Sequence, residues 1–96
     1  MTEIVLSNAV DVKVDDKTLT VTLDDGRILS LPLSWYPRLY YGSQEERNNC
    51  RFIGNGEGIH WEDLDEDISI EGIISGHHSR ESQASLDKWL KSRGRT

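Results

Sequence analysis

The chain has 96 residues, 35% of them hydrophobic and 29% charged, a composition that suits one domain with one core and excludes a disordered chain. The formal net charge of −6 is unevenly spread: residues 1–76 carry 15 acidic against 6 basic side chains, and residues 77–96 carry 2 acidic (Glu81, Asp87) against 5 basic (Arg80, Lys88, Lys91, Arg93, Arg95), a split of −9 and +3. Apolar runs such as Ile4-Val5-Leu6 are far shorter than the about 20 residues of a membrane span. No basic start followed by an apolar stretch reads as a signal peptide, and the lone Cys50 cannot form an intramolecular disulfide, so the expected location is the cytoplasm.

The first third reads as strands. Val10, Val12 and Val14 alternate with Asp11, Lys13 and Asp15, and Leu19, Val21 and Leu23 alternate with Thr18, Thr20 and Thr22, the two-residue period of half-buried strands. Asp15-Asp16-Lys17 joins them. Asp24-Asp25-Gly26 supplies the Asp-Gly pair of a tight hairpin turn, and Leu29, Leu31 and Leu33 resume the alternation until Pro32 interrupts ladder pairing. A three-stranded antiparallel meander is expected.

In the middle, Ser34 is expected to cap a short helix with Pro37 in its first turn and Trp35, Tyr36, Leu39 and Tyr40 on its apolar face. Gly42 stops it, and Ser43-Gln44-Glu45-Glu46 matches a capping box opening a second short helix to about Asn49. Phe52 and Ile53 read as a strand, broken by Gly54-Asn55-Gly56-Glu57-Gly58. Ile59 and Trp61 then point one way and His60 the other. The segment after Trp61 is an acidic turn leading to a turn or two of helix over Ile70, Ile73 and Ile74, capped by Ser69 and closed by Gly76. Ser79 or Ser82 opens a final helix, in which Leu86, Trp89 and Leu90 form a narrow apolar stripe and Asp87 and Lys91 an i, i+4 pair. The expected architecture is α+β: a small antiparallel sheet (the meander plus one or two short strands), short helices and a C-terminal helix. Residues 1–76 make the core, and residues 77–96 a basic helix packed on it or extending from it.

Each constellation that could carry chemistry fails a physical test. Asp63, Asp65 and Asp67 open like a calcium loop, but Ile68 and Ile74 stand where the loop needs its glycine and its bidentate glutamate. His77-His78, His60 and Cys50 are metal-ligand types without ligand spacing, and a Cys50–His60 nucleophile pair would need an orienting acid. Gly54, Gly56 and Gly58 spell G-x-G-x-G, not the dinucleotide fingerprint, and no helix follows. Trp35, Tyr36, Tyr40 and Tyr41 have only Arg38 near them, too little positive charge for a nucleic-acid stacking platform. No catalytic, cofactor-binding or metal-ligating residue is therefore expected, and no enzyme activity. Trp61, Leu64, Ile68 and Trp89 read as structural, and Asp67, like Ser69, as a cap for the helix that follows.

The order Val12…Leu19-x-Val21…Asp25-Gly26…Leu31-Pro32-Leu33, then Pro37-Arg38-Leu39, then Gly58-Ile59-His60-Trp61-x-x-Leu64-Asp65-x-Asp67-Ile68-Ser69, resembles the family called domain of unknown function 2442. The ending Ser79-Arg80-Glu81-Ser82-Gln83-Ala84-Ser85-Leu86-x-x-Trp89-Leu90 is similar to the tail of some members, while Tyr41-Gly42 and Glu62 depart from the family pattern. The resemblance implies a small bacterial α+β protein without assigned enzyme activity. Some members are fused to a helix-turn-helix, which the residues after Gly76 are too few to form, and some are encoded beside a second small protein in what looks like a toxin–antitoxin pair. The expected function is thus a protein-interaction module, the antitoxin-like or regulatory half of such a pair, with Glu57, Asp63 and Glu66 contacting a basic protein partner such as a small toxin. A homodimer remains open. The alternative is a nucleic-acid-binding regulator acting through the basic C-terminal helix, and a small enzyme or metal sensor comes third.

Overall fold

The computed structural model describes residues 7–94. The fold is α+β, built from two small antiparallel sheets with short helices between and after them. The first sheet is the expected meander, β1 (Ala9–Val14), β2 (Thr18–Leu23) and β3 (Ile28–Pro32). Its register places Leu19 opposite both Val14 and Leu31, and Val21 opposite Val12 and Leu29, so the alternating apolar residues share the core face. Asp15 shapes the first turn by accepting from the amides of Lys17 and Thr18, and Gly26 takes φ 94° in the second. Val10 departs from the expected alternation. A bulge between Ala9 and Asp11 hands the inward position to Ala9 and leaves Val10 exposed.

A 3₁₀ turn over Leu33–Trp35 leads into α1 (Pro37–Tyr41), whose N-cap is Tyr36 with no side-chain capping bond. Ser34 therefore does not cap this helix, because the 3₁₀ turn places it too early. Pro37 takes the first helical position, where a missing amide costs nothing. Tyr40, expected on the apolar face, is exposed. The capping box opens α2 (Gln44–Asn48) with both of its hydrogen bonds made.

The second sheet consists of β4 (Cys50–Ile53), β5 (Gly58–Trp61) and β6 (Glu66–Ser69). The last strand forms in the acidic segment expected to be a turn. Only the turn before it, with Asp65 at φ 49°, is irregular. Ser69 caps α3 (Ile70–Ile74) by accepting from the Gly72 amide, so the cap is Ser69 and not Asp67. Ser82 opens α4 (Gln83–Ser92), where Asp87 accepts from Gln83 instead of pairing with Lys91.

The core gathers the inner faces of both sheets with Leu33, Tyr36, Leu39, Leu64, Ile70 and Ile73; Trp61, Ile59, Leu64 and Leu39 are wholly enclosed. The Ala9 amide donates to the Gly56 carbonyl at 2.7 Å, the seam between the sheets. Gly56 has φ 92°, and a Cβ there would collide with the Ala9 carbonyl oxygen, so the seam requires glycine.

Candidate functional site: an acidic hairpin and its cleft

The β5–β6 register determines what each acidic residue does. Trp61 lies opposite Glu66 and Ile59 opposite Ile68, on the core face; His60 lies opposite Asp67 on the outer face. Asp67 and Glu62 clamp the His60 ring, Asp67 at Nδ1 and Glu62 at Nε2, the latter at 2.6 Å. These hydrogen bonds, Asp67's first, raise the pKa of His60 above its usual 6.5. The two carboxylates sit on opposite sides of the ring and do not converge on a common point. Among the described residues, no group of three or more metal-ligating side chains gathers.

Glu66 is forced inward by its register. Burial pushes its carboxyl up to about 7, Arg38 opposes the shift, and Glu81, Asp67 and Asp65 add to it. Among the described residues, no hydrogen bond or ion pair closes on its carboxylate, whereas Arg38 is fully engaged elsewhere. Arg38 reaches both oxygens of Glu81, the shortest contact 2.7 Å, and donates to the Leu64 carbonyl at 3.3 Å. Glu66 lines a cleft of about 270 Å³ between β6, α3 and the segment before α4, together with Tyr36, Ile68, Ile73, His77 and Arg80. The Tyr36 hydroxyl donates to the His77 carbonyl at 3.1 Å, and burial, then Glu66, pushes it up to about 12.

The three residues expected at a partner surface do not form one cluster. Glu57 sits in the turn before β5 and Asp63 in the turn after it, so they lie at opposite ends of that strand, while Glu66 faces the cleft. Asp63 accepts from Asn49 at 2.9 Å. The exposed carboxylates that do gather are Glu62, Asp63 and Asp65, at the β5–β6 turn, with Asp67 beside them. Trp61, Leu64 and Ile68 lie in the core, and Trp89 is partly buried against it.

The C-terminal segment packs on its own core. Trp35 stacks on His78 with ring centroids 3.8 Å apart, the Ser79 amide donates to the Trp35 carbonyl at 3.1 Å, and Leu86 is buried. The guanidiniums of Arg38 and Arg93 lie 5.0 and 4.6 Å from the Trp89 ring centroid. Arg93 also reaches Glu46 at 2.5 Å. That Arg93 is tied down could not be read from charge alone: its partner lies 47 positions away. Arg80, Lys88 and Lys91 remain exposed.

Cys50 and His60 do not meet. Cys50 lies opposite Trp61 on the core face and His60 points outward, while burial, more than nearby Asp11, raises the Cys50 thiol's pKa. A partly buried thiol of raised pKa is a poor nucleophile. The exposed residues Val10 and Phe52 flank a shallow groove between the edge strands β1 and β4. No described helix is long and apolar enough to cross a membrane.

The model of the family described as protein of unknown function (DUF2442) matches residues 9–79, from the first strand to just beyond α3. The chain belongs to this family. The acidic hairpin and all of the cleft's lining except Arg80 fall within the matched residues, while α4 lies beyond them. A crystal structure of a protein of unknown function from Rhodospirillum rubrum is similar, with a TM-score of 0.67 and 26% identity over 83% of this chain and 96% of that one. An uncharacterised protein from Chromobacterium violaceum, solved by solution NMR, shares the fold with a TM-score of 0.63 and 22% identity over 90% of this chain and 75% of that one. No curated protein matches the chain.

Proposed function

We propose that this chain is a non-catalytic protein-interaction module, the antitoxin-like or regulatory member of a bacterial toxin–antitoxin-type pair, that engages a basic protein partner in the cytoplasm through the end of its β5–β6 hairpin. The supporting observation is the exposed carboxylate group of Glu62, Asp63 and Asp65 on the turn between two paired strands. A negative surface of this kind steers a positively charged partner and mainly sets the association rate. Glu57 lies apart from that surface at the far end of β5, where it lines a separate pocket with Asn8, Ile70 and Glu71.

The test is the association rate with the partner recovered by a tagged copy expressed from its native operon. Asp63→Lys and Asp65→Lys should slow association several-fold and weaken its salt dependence, while removal of residues 92–96 should leave the rate unchanged. Binding lost on truncation and untouched by the reversals would favour a nucleic-acid-binding regulator acting through the basic C-terminal helix. A gel shift that weakens steeply with salt would mark that outcome.

A further inference from the structure

We infer that the cleft lined by Tyr36, Glu66, Ile68 and Ile73 receives an arginine side chain of the basic partner; this deepens the interaction function proposed above and rests on it. The cleft holds about 270 Å³, below the roughly 300–1,000 Å³ of pockets that take small molecules and cofactors, so its scale is that of a single side chain. Its lining combines the apolar surface of Ile68, Ile73 and the Tyr36 ring, suited to a methylene stem, with the carboxylates of Glu66 and Asp67, suited to the cation at its tip; Asp67 is already held by His60, which leaves Glu66.

Charge selects the sign of the occupant. Glu66, Asp65, Asp67 and Glu81 all act on this region, and the cation among them, Arg38, is committed to Glu81. Arg80, His77 and His78, from the segment before α4, also line the cleft but are exposed to water, where the Arg80 charge is screened. Glu66 thus already bears the desolvation cost of its position, which the nearby Arg38 offsets only in part and no hydrogen bond among the described residues recovers. A guanidinium is less strongly hydrated than an ammonium, is planar, and meets a carboxylate through two parallel N–H···O bonds, so arginine fits better than lysine.

The test is a two-dimensional NMR titration of the full chain with N-acetyl-arginine amide, its uncharged citrulline analogue and N-acetyl-lysine amide. The arginine probe should shift the Gly72, Ile73, His77 and Ser79 amides saturably, the lysine probe more weakly, and the citrulline probe not at all. Glu66→Gln, nearly isosteric, should weaken the arginine probe about tenfold or more. Equal binding of arginine and citrulline to the native chain, or undiminished binding to Glu66→Gln, would overturn the inference. A polyarginine peptide separates the two proposals. If it binds the hairpin in a salt-sensitive way that Asp63→Lys weakens and Glu66→Gln does not, the cleft assignment fails and the acidic-surface function stands. If the peptide fails to bind at all, the acidic-surface function fails, and with it the cleft's assignment to a basic partner.

Discussion

The indole N–H of Trp61 donates to the backbone carbonyl of Arg47 at 2.9 Å, and both residues are buried. This bond ties the second sheet to α2. The Arg47 guanidinium in turn donates to the Leu39 and Tyr40 carbonyls at 2.9 and 2.8 Å, satisfying the open end of α1. Trp61→Phe keeps most of the ring volume and strands the Arg47 carbonyl, so it should cost about 1–3 kcal/mol. Trp61→Ala should cost about 3–5 kcal/mol, a large part of the stability of a domain this size. Denaturant unfolding of both variants checks this, and a midpoint for Trp61→Ala within error of the parent would refute the anchoring role.

Arg93 closes the chain onto α2. Glu46 Oε1 accepts both from the Ser43 amide, completing the capping box, and from Arg93, and both side chains of the ion pair are largely shielded from water. Arg93→Ala should therefore destabilise by about 1–2 kcal/mol, more than an exposed ion pair, because the contact with Trp89 is lost as well. Deleting residues 92–96 should lower stability to a similar extent while leaving partner association intact. A double-mutant cycle with Glu46→Gln measures the coupling, and a coupling near zero would show the bridge to be idle.

Stability should peak in mildly acidic solution. The lowered pKa values of Asp15, Asp25, Glu46 and Glu81 mean that these groups stabilise the fold above the unfolded carboxylate range, and this is lost as pH falls through their folded values. Glu66 works in the opposite sense. Its folded pKa of about 7 exceeds the unfolded 4.5, so the native state holds the extra proton and stability falls as pH rises between those values. For His60, raised from 6.5, the stabilisation is complete below that value and disappears as pH climbs through the folded one. Melting curves from pH 3 to 9 should rise and then decline; Glu66→Gln should remove most of the decline below pH 7, and His60→Gln the part above 6.5. An unchanged decline in Glu66→Gln would show that the carboxyl is not held neutral.

What was legible in the sequence was local. The meander, the capping box and the Ser69 cap follow from periods and offsets within a few residues, and the structure forms all three. The β6 strand was hidden by its acidic residues, which read as a solvated turn, although Glu66 and Ile68 already share a face by the same two-residue spacing that aligns Ile59 with Trp61. That spacing was also the available sign that Glu66 points inward. Arg47 sits in a polar helix and reads as solvent-exposed; its burial depends on carbonyls of another helix. Arg38 and Glu81, 43 positions apart, lie beyond any local pattern.

Among the described residues, every strand pairing joins neighbours in the chain: β1 to β2, β2 to β3, β4 to β5, β5 to β6. Each sheet can then close through short loops at little entropic cost, and such topologies fold rapidly. The two sheets meet through the Ala9–Gly56 seam, whose residues are far apart in sequence. Docking across that seam is consequently expected to gather the slow, long-range part of folding, which refolding kinetics of a Gly56 variant would test. A substitution at Gly56 should slow refolding, whereas one in the Asp24–Gly26 turn should act on the rate at which the first sheet assembles.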